Sequence, residues 1–163
     1  MKRFFDLIVS FFGLLFFSPI IIIILILIWL QDYSNPFYIS SRVGKNNKEF
    51  KIYKLRSMIA NADKSGVDST GENDQRITVI GKYIRKFKLD EISQLLNVFA
   101  GNMSLVGPRP NVRREVDLYT VEEMKLLSLK PGITDFSSIV FSDEGNILKD
   151  YDDPDIPVDA IGY

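Results

Sequence analysis

The chain has no histidine and no cysteine among its 163 residues. Without imidazole it lacks the commonest general base near neutral pH, and without a thiol it lacks the commonest soft nucleophile; both soft zinc ligands are gone as well. Disulfides are excluded too, which fits a reducing compartment. Any chemistry therefore runs on carboxylates, hydroxyls, Lys, Arg or a hard metal ion. Net charge is also nearly absent, −1 overall, but residues 1–88 carry 14 Lys/Arg against 7 Asp/Glu, and residues 89–163 carry 6 against 14. The basic half contains the longest apolar run, so attraction to anionic lipid is the natural reading. Nucleic-acid binding is not supported, because these cations stand beside that run without a recognition module.

The apolar run is "FFDLIVSFFGLLFFSPIIIIILILIWL", Phe4 to Leu30, in which Asp6, Ser10 and Ser18 are the clearly polar residues. As helix it spans roughly 40 Å, more than the roughly 30 Å hydrocarbon core of a bilayer. No small-residue cleavage pattern follows Leu30, which argues against a cleaved signal peptide. Pro19 lies near the middle, where it removes an N–H and clashes with the preceding turn, and Ser18 offers a hydroxyl to repair the loss. The segment alone is open between a kinked spanning helix and a hairpin that returns to its own side. Lys2 and Arg3 before it and Arg42, Lys45, Lys48, Lys51, Lys54 and Arg56 after it are cations of the kind cytoplasmic flanks prefer, and having them on both sides favours the hairpin.

Beyond the run, "FYISSRVG" (37–44) and "EFKIYKLRSM" (49–58) alternate apolar and polar residues around Gly44-Lys45-Asn46-Asn47, a β-hairpin signal. Residues 60–76 hold almost nothing to bury and read as a lid or a disordered connection. Tyr83, Ile84 and Phe87, interleaved with Lys82, Arg85, Lys86 and Lys88, suit an amphipathic helix at a headgroup interface. A second helix is expected from Leu89 to about Ala100, with Ile92, Leu95, Leu96 and Phe99 inward and Gly101 as its stop. A third is expected over 114–129, ended by Lys130-Pro131-Gly132. The acidic, proline-interrupted "DYDDPDIPVDAIGY" reads as a loop.

Asp90 and Glu91 fall in the first turn of the expected second helix. Acidic residues are favoured there by unpaired N–H groups, so the pair could serve only the helix. The same placement lowers a carboxylate's pKa and keeps it ionised, as a nucleophile or a hard-cation ligand requires. Four cations stand within eight residues upstream, enough to hold a diphosphate. On the next loop, "SLVGPRPN" clamps Arg109 between Pro108 and Pro110. The prolines fix their own φ and restrict the residue before each, so a guanidinium held there has less entropy to lose on meeting a phosphate.

Together, "KRFFDLIVSFFGLLFFSPIIII", "RVGKNNKEFKIYKLRSM", "GKYIRKFKLDEISQLLNVFAGNMSLVGPRP" and "LKPGIT" resemble the bacterial sugar transferases, the small monotopic phosphoglycosyl transferases, across about residues 2–134. The resemblance implies an α+β fold: a re-entrant helix-break-helix anchor over 1–31, broken at Ser18-Pro19, and a small mixed catalytic domain over 32–163 with interfacial helices on the cytoplasmic face of the bacterial inner membrane. It implies transfer of a phosphosugar from a UDP-sugar to undecaprenyl phosphate with release of UMP, through a covalent aspartyl intermediate and with Mg2+. Asp90 would be the nucleophile, and Glu91 its metal-site or acid/base partner. Arg85 and Arg109 match phosphate-handling arginines; Lys54 and Arg56 match a basic strand. Two departures are visible: Asp135 begins "DFSSIVFSDEG" where many members continue with a Gly-Trp-Ala-Gln-type stretch, and Tyr163 precedes the distal helices usual in the family. A nucleotide-sugar hydrolase using the same dyad and a membrane-anchored interaction module remain as other readings.

Overall fold

The computed structural model describes residues 1–62 and 74–135. The alternating stretches pair as read from the sequence: β1 (Phe37–Val43) and β2 (Glu49–Leu55) form an antiparallel hairpin, with Phe37 opposite Leu55 and Val43 opposite Glu49. Its turn is a 3-10 segment, Lys45–Asn47, in which Asn46 and Asn47 take positive φ. Most of the polar 60–76 stretch and the acidic C-terminal stretch lie outside the described residues, as does nearly all of "DFSSIVFSDEG".

The helix α1 runs from Lys2 to Asp32 with Pro19 inside it. The expected break at Ser18-Pro19 is therefore absent from its secondary structure, and the reason is local. Pro19 cannot donate to the carbonyl four residues earlier, Leu15, but the Ser18 hydroxyl donates to that same carbonyl at 2.8 Å. The helix is long and apolar enough to cross a membrane. Asp6, Ser10, Ile24 and Ile28 form its buried face, while Phe4, Phe5, Phe12, Leu15, Phe16, Ile22 and Ile23 are each more than half exposed. Both ends are bonded to the same body. Near the start, Arg3 donates to the Val98 and Phe99 carbonyls, Lys2 to Val106 O, and Asp6 accepts from Ser104 Oγ and Leu105 N–H. At the finish, Asp32 pairs with Arg56.

The helix α2 (Val79–Lys86) starts at Thr78, whose hydroxyl accepts from Gly81 N–H at 2.9 Å. Glycine is needed at 81 because a Cβ there would sit 1.8 Å from Ser57 O. Ile84 points inward with Ile24, Ile28 and Leu55, whereas Val79, Tyr83 and Phe87 make an exposed apolar stripe beside exposed Lys82 and Lys86. After Lys88, at φ 51°, a 3-10 segment (Leu89–Gln94) leads into α3 (Leu95–Ala100), which stops at left-handed Gly101.

The face of this second helix differs from expectation. Leu95 is buried, but Leu96 and Phe99 are exposed, and the inward positions belong to Ser93, Gln94, Asn97 and Val98. The cause is the open edge of β2. Asn97 accepts from Tyr53 N–H at 3.1 Å and donates to Lys51 O at 2.6 Å, and Ser93 donates to Tyr53 O at 2.9 Å. Polar side chains thus stand in for a third strand. Phe99 lies instead toward α1, its ring 6.3 Å from that of Phe11.

The expected third helix is interrupted. It divides into α4 (Arg113–Val116) and α5 (Val121–Met124), the latter continued by a 3-10 turn, Lys125–Ser128. Thr120 and Glu123 form a reciprocal capping box that starts a new helix where periodicity suggested continuation. Two three-residue strands, β3 (Ser104–Val106) and β4 (Gly132–Thr134), then pair in parallel. Beside α2 and the hairpin, a second core of Ile52, Val98 and Met103 with Phe50, Leu105 and Ile133 fills the space between β2, α3 and this pair.

Candidate active site

Asp90 and Glu91 occupy the first turn of the 3-10 segment, directly after the left-handed Lys88. Adjacent residues point apart, and the two carboxylates separate accordingly. Asp90 lines a cleft of about 600 Å³, together with Lys54, Arg56, Arg76 and Arg85. Glu91 stands beside Lys54 at 3.9 Å, with side chains 40% and 30% exposed, a contact that contributes little to stability. Burial pushes the Asp90 carboxyl above its ordinary range, against the opposing pull of Lys54, its own backbone, Arg85 and Lys88. This corrects the expectation that helix-start placement lowers it: desolvation outweighs the helix end and the cations.

The cleft walls come from several places. The cations Lys54 and Arg56 arrive from the end of β2, Arg85 from the last turn of α2, Ser34 and Asn35 from the exit of α1 with the start of β1, and residues 57–62 with Arg76 complete the lining. Arg56 is 8% exposed, and its Nη2 is 2.6 Å from Asp32 Oδ1. Arg76 and Asp32 were not singled out from the sequence. For Asp32 a signal existed: an acidic residue at a helix C-terminus opposes the dipole and calls for a compensating cation. Arg76 is held by Asp74, whose carboxyl it lowers to about 2.

The Pro-Arg-Pro loop sits elsewhere. Pro108 and Arg109 line a separate pocket with Val43, Gly44, Tyr119 and Pro131, of about 10 Å³, room for a single water. Val43 is at the turn end of the hairpin and Phe37 at the open end, six residues or about 20 Å apart. The structure thus does not bring Arg109 into the cleft of Asp90. Pro110 is half-buried beyond it. The loop is fixed all the same, since Gly132 N–H donates to Pro108 O, Gly107 N–H to Thr134 O and Val43 N–H to Asn111 O.

A carboxylate in a cleft of cations, beside a long apolar helix, is the arrangement on which comparison with known proteins bears. The family model described as bacterial sugar transferase matches residues 1–153. The chain belongs to the bacterial sugar transferase family. It is 37% identical over 142 residues to UDP-N-acetylgalactosamine-undecaprenyl-phosphate N-acetylgalactosaminephosphotransferase of Aeromonas hydrophila, covering 85% of this chain and 34% of that protein. Against the exopolysaccharide production protein ExoY of Rhizobium meliloti it is 38% identical over 148 residues, 82% of this chain and 66% of the relative. The undecaprenyl-phosphate galactose phosphotransferase of Salmonella typhimurium is 38% identical over 152 residues, 82% of this chain and 31% of its own length. The sugar transferase chain therefore spans from about a third to two thirds of these relatives.

The donors present in this sugar transferase suit magnesium better than a softer metal. Magnesium commonly takes one or two protein carboxylates and completes its shell with phosphates and water. Asp90 is the carboxylate that lines the cleft, with Glu91 turned to Lys54, and no group of three or more acidic ligands occurs among the described residues.

Proposed function

We propose that this chain transfers a phosphosugar from a UDP-sugar to undecaprenyl phosphate, the first membrane step in building a surface glycoconjugate. The observation that carries the reading is Asp90, placed with Lys54, Arg56 and Arg85 in a cleft that opens beside the exit of the apolar helix. The names of two relatives, which pair a sugar phosphotransferase with undecaprenyl phosphate, support the choice of acceptor.

In the first step a carboxylate oxygen of Asp90 attacks the phosphorus that bears the sugar. A P–O bond forms, the bond to the bridging oxygen breaks, and UMP leaves with that oxygen. In the second step a phosphate oxygen of the lipid attacks the same phosphorus and the Asp90 carboxylate departs, giving the polyprenyl diphosphosugar. The raised pKa of Asp90 accompanies a more basic and hence more nucleophilic carboxylate once ionised. Anion meeting anion needs offset, and Lys54, Arg56 and Arg85 are placed to supply it. When bound, magnesium would be held at Asp90 and would neutralise phosphate charge.

The two-substrate order also explains the anchor. The lipid keeps its phosphate at the membrane surface, so the nucleophile has to be held there. We read α1 as entering the bilayer, bending at Pro19 while remaining helical, and returning to the cytoplasmic side of the bacterial inner membrane, because both of its ends are bonded to one body. The stripe Val79, Tyr83 and Phe87 with Lys82 and Lys86 suits the same interface, as does the Trp29–Tyr33 ring pair at the helix exit. Residues 1–31 then serve as anchor and the remainder as catalytic domain.

UMP release from a UDP-sugar, with and without undecaprenyl phosphate, tests the reading. Strong dependence on the lipid supports transfer, and lipid-independent release makes the chain a hydrolase. Asp90→Asn is expected to abolish release in both conditions. Full turnover by that variant rules out the Asp90 chemistry.

A further inference from the structure

Asp32 is the last residue of α1, where the unpaired carbonyls of the final turn repel a carboxylate. What holds it there is visible. Its Oδ1 accepts from Ser34 N–H at 3.1 Å and from Arg56 Nη2 at 2.6 Å. Arg56 immediately follows β2, is 8% exposed, and has its own backbone N–H tied to Pro36 O at 2.9 Å. Among the described residues Asp32 is the one hydrogen-bond partner of this guanidinium, whose Nε is buried with no partner at all.

A buried guanidinium has five donors, and leaving most of them unused is costly in a folded protein. The neighbourhood indicates what they await. Arg56 lines the cleft with Lys54, Arg85 and Asp90, and a phosphate accepts from the planar fork of an arginine through two parallel bonds. We propose that Asp32 is a positioning residue: from the end of α1 it fixes Arg56 so that the remaining Nη donors of the guanidinium meet the diphosphate of the nucleotide sugar. The identity of the ligand rests on the donor assigned above. The consequence is that the end of α1 is part of the donor site, and the seating of α1 sets the affinity of the cleft for diphosphate.

The test is equilibrium binding of UDP to the full chain in lipid nanodiscs, measured by calorimetry. Asp32→Asn is expected to weaken UDP binding about tenfold, the scale of one lost charge-assisted hydrogen bond, while Asp32→Glu recovers most of it. Arg56→Lys keeps the charge but loses the fork, and is expected to weaken binding similarly. In an Arg56→Gln background, Asp32→Asn is expected to have no further effect. Unchanged affinity in Asp32→Asn or Arg56→Lys overturns the proposal, as does an equal added loss from Asp32→Asn once Arg56 is gone. A merely structural Asp32 gives that additive result. Because binding needs no turnover, a chain that binds UDP but releases no UMP refutes the reaction above and leaves this proposal to be judged on affinity.

Discussion

Replacing Asn97 by alanine removes the side chain that substitutes for a strand. Asn97 is 1% exposed and takes both a donor and an acceptor from the free edge of β2, Tyr53 N–H at 3.1 Å and Lys51 O at 2.6 Å. Alanine leaves both backbone groups without a partner, and among the described residues no neighbouring strand is available to take them, since there β2 pairs with β1 alone. Each orphaned group costs roughly 1–3 kcal/mol, and as both bonds are only part-buried the lower half of that range applies, for a total of about 3 kcal/mol. For a chain of this size that corresponds to a fall in Tm of about 6–12 °C. Thermal unfolding in detergent, followed by circular dichroism, measures it. A shift below about 2 °C means that water or relaxation replaces the side chain and that Asn97 does not close the sheet edge.

Ser18→Ala leaves Leu15 O without the hydroxyl donor that replaces the missing Pro19 N–H, so it is expected to destabilise α1; in a Pro19→Ala background, where the backbone N–H returns, the same change is expected to be nearly neutral in the same melting assay. Asp90→Asn is expected to raise stability at neutral pH. The folded state binds the Asp90 proton more tightly than the unfolded chain does, so the wild type is favoured below the ordinary carboxyl range and loses stability as pH rises through the raised folded value. The stabilisation should therefore vanish in melts below about pH 3.8, the ordinary value. Asp74 runs the opposite way: its pairing with Arg76 contributes above the ordinary value of 3.8 and is lost as pH falls through about 2, so Asp74→Asn should flatten the acid limb of the stability curve.

Much of this architecture is legible in the residues, and what is not has identifiable causes. Alternation around an Asn-rich turn specifies the hairpin, because a one-residue slip would move Phe50 and Ile52 away from the core they share with Val98 and Met103. Periodicity locates the helix through Leu95 but misjudges its face. It assumes that apolar residues turn toward protein, and here the sheet edge requires polar partners while Leu96 and Phe99 lie outward, Phe99 toward α1. The parallel pair β3 and β4 is too short for alternation to appear, and its register depends on contact between segments about 28 residues apart. The capping box at Thr120 and Glu123 is present in the sequence and outweighs the apolar periodicity across it. At the site, the cation cluster just upstream of Asp90 contributes Arg85 to the cleft, whereas Lys54 and Arg56, indicated by the family resemblance and not by spacing from Asp90, reach it from β2. The Pro-Arg-Pro loop shows that rigidity can be read locally whereas position cannot: its location at the turn end of the hairpin follows from the bond between Val43 and Asn111.

The central claim is that Asp90 carries the phosphosugar between its two partners. Incubation with a UDP-sugar and magnesium in the absence of polyprenyl phosphate, followed by peptide mass spectrometry, tests it directly. A phosphosugar adduct on Asp90 that disappears when undecaprenyl phosphate is added is the predicted result. Rapid UMP release with Asp90 unmodified, or an adduct on any other residue, contradicts it.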